Sequence, residues 1–497
     1  MSASRERKKR NEQVAEPVKE KKSKKLSEGA IFAICMLAIV AVLLAAVIGY
    51  GIYKNNRAVL KVGDHTVTVS EFNYIYNSKA NSLSSYASYM DIDTSTPLDK
   101  QYVSENGASW LMLLGIDSSF LENYTVTDGY YNVTWAQLLA ESAKDDAASV
   151  YAIYNEAKEK GYEPDEHLKE EVEENIEQMK EYAKQNNMSL NSFIKRVYGK
   201  GCNVSGYRDY LTAQAVASHY ASTLTYTPEE LSAKKAENPD DYVVATFYQF
   251  SVAASDFVEA DENGQKPEAT DAEKKQAKEA AEAMAKEFDT ANESVSIKTD
   301  TTRATLTSST TEEAANWLFD TAKDGDVKLF ENEGSYYVLK LIDKIDYQTG
   351  NFLEIVIGAD GEELAEGELT AAEKVEKIKA ALSADASAEN FKALAEEYSD
   401  SHESEAENLR RSTLASVSND ALLWGMDART EGDFEVFEAS GSTVILLYTG
   451  AGDLYSDVVA TSVLASEHVQ EISDAAAAEC NYDEKAAMSA NVGVYGN

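Results

Sequence analysis

The sequence predicts an α+β protein. It should hold one N-terminal transmembrane helix, a mostly helical domain, two tandem small α+β domains and a C-terminal helix. Three observations carry this. An uncharged run of 23 residues extends from Ile31 to Tyr53. Apolar residues at helical spacing dominate residues 71–222. Farther on, an eight-residue pattern recurs without a gap at an offset of 107. At about 100–200 residues per domain, a chain of 497 has room for two to four domains.

Charge sorts along the chain. Residues 1–30 hold 10 Lys and Arg against 5 Asp and Glu, a net of +5. Residues 31–53 carry none, and the remainder holds 36 basic and 81 acidic residues, a net of −45 against −40 for the whole chain. Such a surface argues against nucleic acid as a partner, because phosphate binding needs a basic face. As a helix, the uncharged run spans a hydrocarbon core of about 30 Å. The basic excess ahead of it places the tail (1–30) in the cytoplasm and the bulk outside. Residues 31–53 then make the membrane contact of a single-pass cell-membrane protein. A cleaved signal peptide would have an apolar region of about 7–15 residues and a small-residue cleavage site; the sequence YGIYKNN that closes this run is a poor one. Cys35, Cys202 and Cys480 are too few and too scattered for a disulfide framework, and pairing of Cys202 with Cys480 stays open. Five dispersed His, no H-E-x-x-H and no phosphate-cradling glycine loop point to no metal and no cofactor.

Residues 54–235 form the helical domain. Val62-Gly63-Asp64 reads as a turn between short strands, and Ser70 as the N-cap of a helix starting with Phe72, Ile75 and Tyr76. From Asp165 onward, Leu168, Val172, Ile176 and Met179 mark one buried face, with charged residues filling the solvated one. Several Tyr between Tyr74 and Tyr154 suit either a core or a surface that holds unfolded segments. The polar stretch with Pro228 and Pro239 marks the boundary.

The repeat defines residues 241–346 and 347–450. Trp317, Asp320, Gly325, Asp326, Phe330, Glu331, Gly334 and Ser335 recur as Trp424, Asp427, Gly432, Asp433, Phe437, Glu438, Gly441 and Ser442. Each block ends in a strand-like run, YYVLKL or TVILLY, and an earlier run, ATFYQFSV or FLEIVI, opens each unit. Helical spacing lies between: Ala277, Ala281, Met284 and Phe288 in the first; Val375, Ile378 and Leu382, then Phe391, Leu394, Ala395 and Tyr398, in the second. The duplicated Trp reads as core packing, and Gly325 and Gly432 as the turn into the last strand. Residues 451–497 read as a C-terminal helical segment.

The second unit resembles a parvulin-type peptidyl-prolyl isomerase domain. Phe391, Leu394, Ala395, Tyr398, Ser399 and Asp400 match that family's Phe-x-x-Leu-Ala-x-x-Tyr-Ser element. Gly432 and Asp433 match its turn into the last strand. The sequence VGDHTVTVSEF resembles the start of the helical chaperone domain of PrsA- and SurA-type extracytoplasmic foldases. The resemblance implies that the C-terminal segment returns to pack on the N-terminal domain. It also implies one His on the first strand and one on the last, facing each other across the active site. Those positions read Gln249 and Tyr337 in the first unit, Glu354 and Val444 in the second. The loop that the family fills with glycine reads SHESEAENLRRSTL, with His402 inside it. Gln249, Tyr337 and Glu354 have the chemistry to hydrogen-bond across a sheet, and ordinary strand residues are the plainer reading.

The expected function is a membrane-anchored foldase-like chaperone. It would bind unfolded or secreted polypeptides, with prolyl isomerase activity weak or lost. The alternatives are an active isomerase in the second unit and a non-catalytic envelope scaffold. Amide rotation has a barrier of about 18–20 kcal/mol, and lowering it relies on positioned polar groups that both units lack.

Overall fold

The computed structural model describes residues 52–490 except 261–264, 289, 291, 293, 361–368, 402–404 and 440. Apart from Ile52 and Tyr53, the expected membrane anchor lies outside the described residues, as does His402. Among the described residues, no helix is long and apolar enough to cross a membrane. The chain is mixed α+β with several small antiparallel sheets. It forms two compact units: residues up to Tyr220 with those from Glu471 on, and Ala221–Gln470. Segment 221–235, read from sequence as the end of the helical domain, falls in the second unit.

The first unit opens with a hairpin of β1 (Ala58–Val62) and β2 (His65–Thr68), turned at Gly63 with φ +55°. Helix α1 (Val69–Ser85) follows, and its N-cap is Thr68 rather than Ser70. The Thr68 hydroxyl accepts from the Glu71 amide, and the Glu71 carboxylate accepts from the Thr68 amide at 2.7 Å. This reciprocal box satisfies two orphan donors at once. Ser70 instead donates to the Asn55 carbonyl at 3.1 Å.

Residues 86–134 then leave the helical pattern. They carry short 3₁₀ turns, a single helical turn (Glu105–Ala108) and a three-stranded sheet of β3 (Tyr102–Ser104), β4 (Val126–Thr127) and β5 (Tyr130–Thr134), in the order β3-β5-β4. The reading of 71–222 as mostly helix missed this excursion, although Pro97, Gly115 and Gly129 break the helical period within it. Four helices follow: α2 (Trp135–Glu159), α3 (Glu166–Gln185), α4 (Leu190–Tyr198) and α5 (Val204–Tyr220). As its spacing predicts, α3 buries Leu168, Val172 and Ile176, and Asp165 caps it.

In the second unit, α6 (Pro228–Glu237) precedes two copies of one arrangement. The first copy comprises β6 (Val244–Ala253), α7 (Asp271–Lys286), β7 (Val295–Thr301), α8 (Arg303–Ser309), α9 (Glu312–Asn316), β8 (Val327–Asn332) and β9 (Ser335–Ile345). The second comprises β10 (Gln348–Gly358), α10 (Ala371–Ala384), α11 (Ala388–Tyr398), β11 (Glu405–Leu409), α12 (Arg411–Val417), α13 (Asn419–Met426), β12 (Phe434–Ala439) and β13 (Ser442–Leu454). The sheet orders are β7-β6-β9-β8 and β11-β10-β13-β12, equivalent strand for strand and antiparallel throughout. Among the described residues, the first copy has no helix in the place of α11.

Equivalence extends to single residues. Gly325 and Gly432 have φ of +85° and +92°. Their amides donate to Leu341 at 2.8 Å and Tyr448 at 2.9 Å, again 107 residues apart. The rings of Trp317 and Phe330 lie 5.4 Å apart, those of Trp424 and Phe437 5.6 Å. Each sheet is covered on both faces. Ala277 and Ala281 of α7 meet Val252 and Val338, while Leu306, Ala314 and Leu318 meet Phe247, Leu339 and Leu341. In the second copy, Ile378, Leu382 and Phe391 cover Ile355 and Ile445, while Leu414, Ala421 and Leu422 cover Phe352 and Leu446.

A polar hub ties the copies together. Arg411 at the start of α12 donates to Asp343 of β9 at 2.6 Å and to Thr246 of β6 at 3.1 Å. Its guanidinium stacks 4.2 Å from the centre of the Tyr347 ring. The Tyr347 hydroxyl donates to Asp300 at 2.8 Å and accepts the Arg411 amide. Ile297 of β7 packs against the second copy's α12 and α13 core.

The last strand runs to Leu454, and α14 (Tyr455–Glu479) and α15 (Glu484–Ala490) end the described chain. The α15 residues Ala486 and Ala487 are fully buried in the core of the first unit. The Asp483 amide donates to the Val59 carbonyl at 2.7 Å, and its carboxylate pairs with Arg57. The C-terminal end therefore completes the first unit.

Candidate functional site

The four strand positions singled out by sequence fall at equivalent places on the two sheets. Their partners are not each other. Gln249 pairs with Leu339, and Tyr337 with Ser251; Glu354 pairs with Leu446, and Val444 with Val356. In both copies the two positions are diagonal neighbours, one pleat repeat apart. The two positions of each copy therefore share one face of their sheet.

Their surroundings differ. Gln249 donates its amide to Ser251 on its own strand at 2.8 Å. Tyr337 packs against the core that holds Leu339, Leu341 and Phe330. Val444 is buried among Phe437, Leu446 and Leu422 beside Trp424. Glu354 is half-buried on the strand between Phe352 and Val356. Gln249 and Glu354 belong to different sheets. The helices α12 and α13 cover the face of the second copy that holds Val444.

Beside that face lies a cleft of about 220 Å³, lined by Tyr347, Phe352, Leu414, Met426, Arg411 and Arg429 among others. None of the four strand positions lines it. Arg411 is committed to the hub described above. Arg429 donates Nε to the Trp424 carbonyl at 2.7 Å and stacks 4.2 Å from that ring's centre. The cleft has a mainly polar lining, with Gln348, Thr349 and Asp427 in its wall, and its two cations are internally engaged.

The first unit offers apolar surface of another kind. A groove of about 520 Å³ runs between α2, α3 and α5, with Ile153, Val172, Leu211 and Ala217 in its wall. The tyrosines divide into two sets. Tyr74 is buried, its ring 5.3 Å from Tyr198 and 5.6 Å from Tyr210, with its hydroxyl donating to the Asn203 carbonyl at 2.9 Å. Burial pushes the hydroxyls of Tyr74 and Tyr76 well above the usual phenol range. These are core residues. Tyr89, Tyr102 and Tyr130 are exposed, all in the 86–134 excursion. Sequence reasoning grouped the tyrosines together; the strand and turn breaks around the exposed ones were the signal that separates them.

Cys202 is buried and free, its thiol pushed up to about 12 by burial; Cys480 is also free. Cys202 bonds to the Ser70 and Tyr198 carbonyls, whereas Cys480 bonds to Ala477. His65 lies 3.4 Å from the Glu71 carboxylate and stacks on Tyr151, so it buttresses the cap of α1. Among the described residues, no three His, Cys, Asp or Glu side chains gather as a metal site requires.

Comparison with known protein families and with curated proteins returned no match.

Proposed function

We propose that the protein is a membrane-anchored extracytoplasmic foldase-like chaperone of the parvulin-containing PrsA and SurA type, in which both isomerase modules are degenerate. The observation that carries the reading is the closure of the first unit by α15. A helical unit is opened by β1, β2 and α1 and completed by α15, the last helix among the described residues, while two α+β copies occupy the sequence between. This is the layout that the resemblance implies. The strand positions support loss of catalysis: a buried Val444, a Tyr337 packed into core and two mismatched polar residues leave no opposed pair to act on a prolyl amide. Shielding an unfolded chain needs only apolar area, since burial is non-directional.

The test uses the full-length protein in nanodiscs. Light scattering by an aggregating basic client is expected to fall with added protein. Isomerisation of a proline-containing peptide is expected to be at most about one-tenth as fast as with an intact two-His parvulin, the loss of a kcal/mol or more of transition-state binding. Isomerisation at the full rate would return the second copy to the enzymes. Failure to suppress scattering at any ratio would favour the scaffold reading. Protease added outside intact cells should digest residues beyond the anchor, and a mature N-terminus just after residue 50 would remove the anchor from the proposal.

A further inference from the structure

The chaperone reading, on which this inference rests, leaves open where a client is held and which clients are preferred. We infer that the excursion between α1 and α2 is the client-docking surface, and that it takes unfolded segments that are both apolar and basic. The structure brings Tyr89, Trp110, Met112 and Leu113 to the outside of the first unit, with Met112 81% exposed. The rings of Tyr89 and Trp110 lie 5.7 Å apart. Trp110 to Leu113 is one tight turn, closed by the Leu113 amide on the Trp110 carbonyl at 3.0 Å. The backbone beneath is fixed. Asn106 donates to the Tyr89 carbonyl at 3.1 Å and to the Asp91 carboxylate at 2.9 Å. Gly107 leaves no room for a side chain, since a Cβ there would meet the Met90 carbonyl oxygen at 2.7 Å. A rigid platform thus presents a Trp, a Tyr and an unbranched, adaptable Met to solvent, the side chains that carry contact energy in interfaces.

Charge selects the occupant. Residues 86–134 hold seven carboxylates, Asp91, Asp93, Asp99, Glu105, Asp117, Glu122 and Asp128, against one cation, Lys100. Lys100 lies 3.0 Å from Asp99. An apolar surface with a net charge of −6 attracts cationic chains and repels anionic ones. That disfavours an anionic lipid surface and a second, equally acidic copy of this patch. Position argues against the membrane too. The chain enters the unit at Arg57, whose carbonyl accepts the Val69 amide at the start of α1 at 2.9 Å. The platform follows the other end of that helix, about 25 Å away for 17 residues.

The test measures fluorescence anisotropy of labelled, unstructured peptides on the full-length protein in phosphatidylcholine nanodiscs. One peptide alternates Lys with Leu and Phe; its twin carries Glu for Lys. The basic peptide is expected to bind, more weakly as salt rises, and the acidic one not to bind. The W110S/M112S variant should bind the basic peptide at least about tenfold more weakly, with an unchanged urea midpoint. Tyr182→Ser, an exposed ring on α3, should bind as the parent does. Full affinity in W110S/M112S, while the parent both binds peptide and suppresses aggregation, overturns this site and leaves the chaperone reading intact. Absence of both binding and suppression in the parent overturns the chaperone reading itself. Equal binding of the acidic twin overturns the assignment of the occupant.

Discussion

The hub at Arg411 makes a quantitative prediction. Its side chain is 9% exposed and that of its partner Asp343 20%. Arg411→Met keeps most of the volume and removes the charge. Asp343 is then left largely desolvated, and Thr246, itself fully buried, loses one of its two hydrogen-bond partners. Breaking such a buried pair costs about 3–5 kcal/mol, and the residual exposure of Asp343 places this case near 3. With a urea slope of about 3 kcal/mol per M, the unfolding midpoint of the second unit should fall by about 1 M. Trp317 and Trp424 lie in the two copies and report the transition by fluorescence. The double variant R411M/D343L should recover most of the loss, because it removes both charges and leaves an apolar contact. A shift below about 0.3 M for R411M, near the error of the extrapolation, would refute the reasoning, and so would a double variant no more stable than the single one.

Three further outcomes follow from the packing. Gly325→Ala and Gly432→Ala should each destabilise by about 1–2 kcal/mol, because both force an L-residue into left-handed backbone at equivalent turns; unequal losses in urea titrations, differing by more than about 1 kcal/mol, would break the equivalence of the copies. Ala487→Asp puts a carboxylate into the fully buried contact of α15 and should free the C-terminal end; limited proteolysis should cut within residues 471–490 much faster than in the parent, and an unchanged rate would show that α15 does not hold there. Acid should loosen the same contact. The Ala486 amide, then Arg57, hold the Asp483 carboxyl below its usual range, so its stabilising contribution is complete above the unfolded value of about 3.9 and is lost as pH falls through the folded value. Hydrogen-exchange protection of residues 484–490 should therefore be constant from pH 5 to 7 and drop below pH 4, whereas a loss on raising the pH would contradict the sign.

Local signals were legible in the sequence wherever chain neighbours decide the outcome. The α3 face came from the four-residue spacing of Leu168, Val172 and Ile176. The duplication came from an ungapped offset, because the tight turns at Gly325 and Gly432 require glycine at fixed distances from the strands they start. Even so, the α1 cap went to Thr68 over Ser70 because Glu71 reaches back to it, a pairing of side chains that a single-residue signal does not show. What distant segments do to one another was decided only in three dimensions. The register of β6 on β9 set Tyr337 opposite Ser251, and bulges, which the strand sequences do not announce, contribute to that register. Arg411 sits in a stretch that reads as an ordinary polar loop, yet its partners lie 68 and 165 residues away. The exposed Tyr89, Tyr102 and Tyr130 and the buried Tyr74 and Tyr76 share one composition. Which rings reach solvent depends on the helices that close over α1, among them α15 from the far end of the chain.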